Sequence, residues 1–279
     1  MTIAVLLTTY NRKEKTLACL QRLSVQVLPE NVKLNVFLTD DASSDGTAEA
    51  VQKLYPGTHV YVGNGQYYWA GGMRYTWREA MQTRPDQYLL LNDDTVLFSD
   101  SIGKLITTSL QQNKPSVIVG STVDELTNKV SYGGWKLFRR GIWHSRRVFD
   151  KTRAVDCDFA NANILLVPAR IVDRLGILAD HFTHGLADYD YTCKVREAGF
   201  GLKVAPGVLG YCTDDHGDNW KSQTTSLKER IKYLKSPKGL AYKEYLRFIR
   251  DHFPLSYPSA FAKLWLKTFF PFVWDKLKD

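Results

Sequence analysis

Residues 89–97 read LLLNDDTVL. Three apolar residues run without a break into an amide and two carboxylates, Asn92, Asp93 and Asp94. Burying one unpaired charge is costly, and two adjacent ones also repel each other. A hydrophobic strand ending this way must hold its carboxylates at an edge, where a ligand can compensate them. The neighbouring segments repeat the pattern. IAVLLTTYN (3–11) and KLNVFLTDDAS (33–43) are short apolar runs that end in polar residues, and HVYVGN (59–64) runs into a Gly-rich turn. Helical stretches lie between them. Leu17, Leu20, Leu23 and Val27 share one face before Pro29, SSDGTAEAVQKLY (43–55) opens with capping residues, and AGGMRYTWREAMQ (70–82) reads as a helix. Strand alternating with helix at this spacing predicts a parallel, doubly wound α/β sheet. Ligands of such sheets bind beyond the carboxyl ends of the strands, where TTYNR, TDDASSDGT and NDDT all fall.

Later segments are less regular. SVIVGSTVD (116–124) reads as a strand, and residues 133–153 as a mobile loop or hairpin. CDFANANILLVPARIVDRLGI (157–177) is a strand followed by a helix, and DYDYTCKVREAGFGLKVAPGVLGYC (188–212) a helix followed by a strand. The tail from Lys221 holds two or three helical stretches.

The 279 residues are 44% hydrophobic, enough for one large domain or a domain with an extension. No internal period or low-complexity tract is present. The first residues lack a basic leader and a cleavage site, so they read as a strand and not as a signal peptide. No run of eighteen apolar residues occurs, which argues against a spanning helix. Four scattered cysteines without a CxxC pair argue against a zinc site or a disulfide framework and fit a reducing cytoplasm. The net charge of +8 is uneven: 13 of the 37 basic and 5 of the 29 acidic residues lie from Lys221 onward, leaving 24 of each before it. The body is neutral and the tail basic, which marks where an anionic partner would dock.

Two carboxylates beside an amide suit a hard cation, Mg²⁺ or Mn²⁺, whose shell is completed by substrate phosphates. The competing reading is a helix cap, for which DDT is equally good chemistry. Asp40 and Asp41 could accept hydrogen bonds from a nucleobase or ribose, whereas Asp45 reads as a cap. Gly71 and Gly72 would let backbone approach a ligand, or pack a helix on the sheet. Trp69 could stack on a sugar or a base.

Taken in order, TTYNR (8–12), DDASSDGT (40–47), NGQYYWAGGMR (64–74) and LLLNDDT (89–95) resemble the family 2 glycosyltransferases, which have the GT-A fold. HGLADYDYTCKVREAGF (184–200) continues the likeness, closest to rhamnosyltransferase-like variants. The resemblance covers about residues 1–220 and implies a Rossmann-like, mostly parallel sheet flanked by helices, with a C-terminal helical extension. Residues 1–115 would form the nucleotide-binding half, 116–220 the acceptor and catalytic half, and 221–279 a basic, aromatic-rich tail. It implies donor contacts from Thr8, Tyr10, Arg12, Asp40, Asp41, Asn64, Trp69, Gly71, Gly72, Arg74, Asn92 and Asp93. Asp94 matches the metal ligand. His216, in TDDHGDNW, falls where members place a His near metal or diphosphate, and otherwise reads as a surface histidine. Asp188 matches the base that takes the acceptor's proton in an inverting displacement. Ala187 replaces the usual acid before it, and Lys194 the usual Arg. Asp190 is the alternative base or acceptor contact, but reads first as the cap of the helix beginning there. Asn161 and Asn163 would bind acceptor hydroxyls or satisfy backbone groups.

The expectation is an inverting, Mn²⁺- or Mg²⁺-dependent hexosyltransferase. It would use dTDP-rhamnose or a UDP-hexose and act on a saccharide, lipid-linked acceptor in surface polysaccharide synthesis. A nucleotidyltransferase would need an early Gly- and Arg-rich phosphate loop, which TTYNRKEKT lacks. A non-catalytic sugar-nucleotide binder is the reading that Ala187 favours. A nucleic-acid partner would leave the strand-end carboxylates without purpose. In the tail, Tyr242, Tyr245, Leu246, Ile249 and Phe253 form one stripe, and Phe261, Leu264, Trp265, Phe269, Phe272 and Val273 another. They predict either a membrane-surface contact on the inner face of the cell membrane or packing on the body or a second copy. On the membrane reading, a chain cut near Ser236 stays a soluble body and loses liposome binding.

Overall fold

The computed structural model describes residues 1–138, 145–213 and 225–272. Its sheet is built around β1 (Thr2–Thr9), which pairs in parallel with β2 (Lys33–Asp40) and β4 (Gln87–Leu91); β2 pairs in parallel with β3 (His59–Val62). Helices α1 (Lys13–Ser24), α2 (Thr47–Leu54) and α3 (Tyr68–Met81) connect these strands. Beyond β4 the direction changes more than once, and β10 (Val155–Asp156) at the far edge is again antiparallel to its neighbour. β12 (Ile164–Pro168) runs antiparallel to both β4 and β6 (Ser116–Val123), and β6 is parallel to β13 (Gly201–Tyr211). The sheet is mixed α/β, mostly parallel at its centre, as expected.

Why the core strands read as unbroken apolar runs follows from the pleat. Side chains alternate faces along a strand, so a strand covered on both sides needs apolar residues throughout. In β1, Ile3, Val5 and Leu7 pack with Leu20, Leu23, Val51, Leu89, Ile102 and Leu105, on the side of α1, α2 and α4 (Ser101–Leu110). Ala4 and Leu6 point the other way, toward Met73, Trp77 and Tyr191. Val27, expected on the buried stripe of α1, lies past its end and is 67% exposed. The acidic stretch does not continue as one strand. β4 stops at Leu91, Asn92–Thr95 turns, and Val96–Leu97 forms β5 against Gly210 and Tyr211.

Within residues 133–153, β8 (Gly134–Leu137) and β9 (Ser145–Val148) pair antiparallel, in keeping with the hairpin reading, and join β11 (Phe159–Ala160) in a second, three-stranded sheet. α6 (Ala187–Glu197) packs on β11 and leads into β13. The tail forms α7 (Leu227–Lys235), α8 (Tyr242–His252) and α9 (Tyr257–Phe269). Leu234, Leu246, Phe248, Ile249, Phe253, Ala260 and Leu264 are buried in the same cluster as Leu6 and Trp77. The boundary drawn near residue 220 therefore marks a change in composition, while the core is continuous across it. No helix among the described residues is long and apolar enough to cross a membrane.

Candidate functional site

The acidic turn sits at the carboxyl end of β4. Asn92 is held on three sides: its N–H donates to the Asn163 carbonyl (3.1 Å), its Oδ1 accepts from Trp69 Nε1 (2.9 Å), and its carbonyl accepts from Cys19 Sγ (3.6 Å). Asp93 and Asp94 follow it, largely buried. Arg12 Nη1 lies 2.7 Å from Asp94 Oδ2 and 3.4 Å from Asp93 Oδ1. Burial, and then the neighbouring Asp94 charge, push the Asp93 carboxyl up to about 6, against the pull of Arg12. Asp93 Oδ2 is buried without a hydrogen-bond partner. Asp94 Oδ1 accepts from Cys212 Sγ (3.5 Å), which itself accepts from Asn163 Nδ2 (3.3 Å). Burial raises Cys212 to about 12, so it stays a thiol and can donate.

This donor set fits a hard divalent cation of the kind that binds through one or two carboxylates and the phosphates of its ligand. An orphaned carboxylate oxygen and two crowded negative charges are what such an ion would relieve. Among the described residues, no three acidic, His or Cys side chains cluster into a complete cage. His216 lies outside the described residues.

The first two strand ends build the adjoining wall. Thr8 is buried at the end of β1, and Tyr10 beyond it is 47% exposed, with Lys238 Nζ 5.8 Å from its ring centroid. Asp40 Oδ1 accepts from Ser43 N–H (2.8 Å). Asp41 Oδ1 accepts from Gly65 N–H (2.8 Å), and its Oδ2 from the N–H groups of Tyr67 (2.8 Å) and Tyr68 (3.2 Å). Three backbone donors thus occupy Asp41, which shapes the loop from Gly63 to Tyr68 and carries Asn64 at an exposed position. Asp45 accepts from Thr47 and Lys13 N–H, tying together the starts of two helices from just outside α2, whose N-cap position is Gly46.

Several expected donor contacts are engaged elsewhere. Arg74 Nη1 donates to the carbonyls of Ala179 (2.9 Å) and Phe182 (2.8 Å), and its Nε pairs with Asp180 (3.3 Å). These contacts staple the segment before α6. A Cβ on Gly72 would collide with Thr8 Oγ1, and one on Gly71 would come within 3.2 Å of Tyr67. Both glycines serve the packing of α3. Trp69, by contrast, keeps its place beside the acidic turn through Asn92, and its N–H donates to His184 Nδ1 (3.4 Å).

The remaining wall comes from α6. Leu186 precedes it with φ 68°, a left-handed conformation that is costly for a leucine and holds the helix entry in one geometry. Asp188, in the first turn, accepts from Ala162 N–H (3.1 Å) through Oδ2 and from Tyr189 N–H (2.8 Å) through Oδ1. Asn161 Nδ2 donates to Tyr189 OH (3.1 Å), and Trp135 Nε1 to Asn161 Oδ1 (3.4 Å). Asn163 is buried and spends its side chain on Cys212. Asp190 is neither a cap nor an acceptor contact. It lies inside the helix, 1% exposed, with Oδ1 against His252 Nε2 (2.9 Å) and Oδ2 against Lys194 Nζ (2.6 Å).

Five residues of the site and its frame escaped the sequence reading: Trp135, His184, Cys212, Glu244 and His252. His184 heads the HGLADYDY segment and Cys212 stands just before TDDH, so both lay beside motifs. Glu244 accepts from Thr183 N–H (2.9 Å) and Thr183 Oγ1 (2.6 Å), a pairing across 61 residues that no local pattern announces.

A model of glycosyl transferase family 2 matches residues 4–164. No curated protein matches the chain. Among solved structures, the mannosyltransferase PcManGT from Pyrobaculum calidifontis, in complex with GDP-Man and Mn2+, superimposes with a TM-score of 0.56 at 15% identity, over 82% of this chain and 64% of that one. TarS 1-349 from S. aureus in complex with UDP gives 0.56 at 15% identity, over 76% of this chain and 60% of that one. TarS in complex with UDP-GlcNAc also gives 0.56 at 15% identity, over 90% and 73%. The chain thus spans less than two thirds of the length of the first two. At such identity the likeness establishes a shared fold, and the chemistry must be argued from the site.

Proposed function

The chain belongs to glycosyl transferase family 2, and from that premise we propose that it moves a sugar from a nucleotide-diphosphate donor to a saccharide acceptor, inverting the anomeric centre. One observation carries this reading. The short edge from Asn161 to Asn163 ties the candidate base to the acidic turn: Ala162 N–H holds Asp188 Oδ2, and the Asn163 carbonyl holds Asn92 N–H. An in-line displacement needs a diphosphate leaving on one side of the sugar and a base on the other, and this edge fixes both walls relative to each other.

In this reading Asp188 takes the proton of the acceptor hydroxyl as its oxygen attacks the anomeric carbon. The sugar–phosphate bond breaks, and its electron pair leaves with the nucleoside diphosphate. Asp93 and Asp94 would hold a divalent ion, Mn²⁺ or Mg²⁺, which when bound supplies the charge that neutralises the departing diphosphate. Trp69 and the exposed Tyr10 border the donor, while Asp40 and Asp41 hold the loops around it. The donor is dTDP-rhamnose or a UDP-hexose. The acceptor is a lipid-linked saccharide of surface polysaccharide synthesis, met in the cytoplasm at the inner face of the membrane. Phe261, Leu266, Phe269 and Phe270 on and just after α9 are exposed beside Lys263 and Lys267, which supports a contact with anionic lipid.

The test is release of nucleoside diphosphate from donor in the presence of acceptor. Asp188→Asn should lose at least a hundredfold in kcat while donor still raises the melting temperature as in wild type. Equal release from both proteins removes Asp188 as the base, and no release from wild type with any nucleotide sugar in a broad panel removes the transferase reading.

A further inference from the structure

Arg12 reaches the acidic turn from a distant part of the chain. It precedes α1 and meets Asp93 and Asp94 across 81 and 82 positions of sequence. One guanidinium nitrogen, Nη1, stands 2.7 Å from Asp94 Oδ2 and 3.4 Å from Asp93 Oδ1. A single positive centre between two carboxylates is the arrangement a shared cation takes. The burial is asymmetric: the Arg12 side chain is 40% exposed, against 8% for Asp93 and 13% for Asp94. The anions are fixed in the frame, and the cation comes to them from the solvent side on a long, flexible stem.

Arg12 also leaves the pair incompletely served. Asp93 Oδ2 remains buried and unpartnered, whereas a small divalent ion gathers up to six oxygens. A guanidinium and a divalent ion cannot both occupy the space between the same carboxylates, since two cations there would repel each other. We infer that Arg12 is the resident counter-cation of the Asp93–Asp94 pair and must yield its place to any divalent ion that binds there. This rests on the reading of that pair as the cation site. It goes further in assigning Arg12 a competing role, so that the protein alone holds metal weakly. Arg12 thereby keeps the two carboxylates tolerable to the fold when no metal is present.

Manganese alone, titrated into the full-length protein without nucleotide and followed by the EPR signal of free Mn²⁺, tests this directly. Arg12→Gln removes the competing charge and should bind Mn²⁺ at least tenfold tighter than wild type. Arg12→Lys keeps the charge but loses the planar reach and should fall between them. Without metal, Arg12→Gln should melt below wild type, and saturating Mn²⁺ should raise its melting temperature more than that of wild type. If Arg12→Gln fails to fold, the Lys variant decides. Variants with native circular dichroism that bind Mn²⁺ no tighter than wild type overturn the inference. Adding Asp94→Asn to Arg12→Gln separates the two claims. If tight binding survives that change, the ion lies elsewhere and the cation-site reading fails with the inference. If Asp94→Asn abolishes wild-type binding while Arg12→Gln leaves it unchanged, only the inference fails.

Discussion

Asp93 carries two opposed demands in one side chain. Its burial and the adjacent Asp94 charge favour the neutral acid and lift its carboxyl to about 6, yet the cation site needs it ionised. With a folded value near 6 and an unfolded value near 4, the native state binds more protons in that window. Stability therefore falls as pH rises from about 4 to about 6 and does not return above it. Asp93→Asn removes this cost. At pH 7.5 and without divalent ions, we expect the Asn variant to melt at or above wild type, by up to about 3 kcal/mol of stability. At about pH 4 and below the gap should close, and saturating Mn²⁺ should stabilise wild type alone. A thermal-melt series in pH and Mn²⁺ reads all three, and a variant less stable than wild type at every pH contradicts the assignment. Residues of this kind were legible in the sequence because their placement is expensive: carboxylates that end an apolar strand need a reason. Arg74 and Asp190 show the limit. Each is a charged residue inside a recognised motif, yet each is consumed by partners far along the chain, Ala179 and Phe182 for one and His252 for the other. Residue type near a strand end says that a polar group is needed there, and long-range packing decides whether a ligand or a neighbour meets it.

At the scale of elements, α8 braces α6, the helix that presents Asp188. Its His252 is almost wholly buried, with Nε2 on Asp190 and Nδ1 on Glu197 (2.8 Å), while Lys194 takes the other Asp190 oxygen. Glu244, at the other end of α8, holds Thr183 just before α6. Burial alone would lower the His252 imidazole, but hydrogen bonds to Asp190 and Glu197 outweigh it and raise it above its usual 6.5. The nearby His181 is shifted down, first by burial and then by Arg247, so it does not share this charge. A raised histidine contributes stability that is fully present below the unfolded value and is lost as pH rises through the folded one. The melting temperature of wild type should therefore decline from about pH 6.5 upward. His252→Gln should start lower, by roughly 1–3 kcal/mol or a few degrees, and lose that slope. A variant with the wild-type slope would place the pH dependence elsewhere. The sequence located α6 and α8 through their apolar periods, but their docking is written in single polar pairs separated by 55 and more positions, for which no spacing rule exists.

At the scale of the whole molecule, the basic tail has two faces with different fates. Leu246, Phe248, Ile249, Phe253 and Leu264 close one side of the sheet's core. Each fully buried apolar side chain of this size contributes about 1.5–3 kcal/mol. Five of them together rival the total stability of an ordinary domain, about 5–15 kcal/mol. A chain cut near Ser236 should therefore not persist as a soluble body, contrary to the expectation from composition; it should aggregate or fail to show a cooperative melt. The outward face of α9 is separable from this role, because Leu266 (49% exposed) and Phe270 (48%) are not part of that core. Replacing both by Ser should leave the melting temperature within a few degrees of wild type. If the face meets anionic lipid, the pair of substitutions should abolish cosedimentation with phosphatidylglycerol vesicles, and so should high salt, since attraction of Lys263 and Lys267 to the headgroups is screened. Wild type that ignores such vesicles, but sediments as a dimer that the substitutions dissociate, would instead assign the face to a second copy of the chain. A soluble, cooperatively melting truncation would show that the tail is an accessory after all. The basic excess alone could not separate these outcomes, because the same helices supply both the wall that holds Asp188 in place and the surface turned away from it.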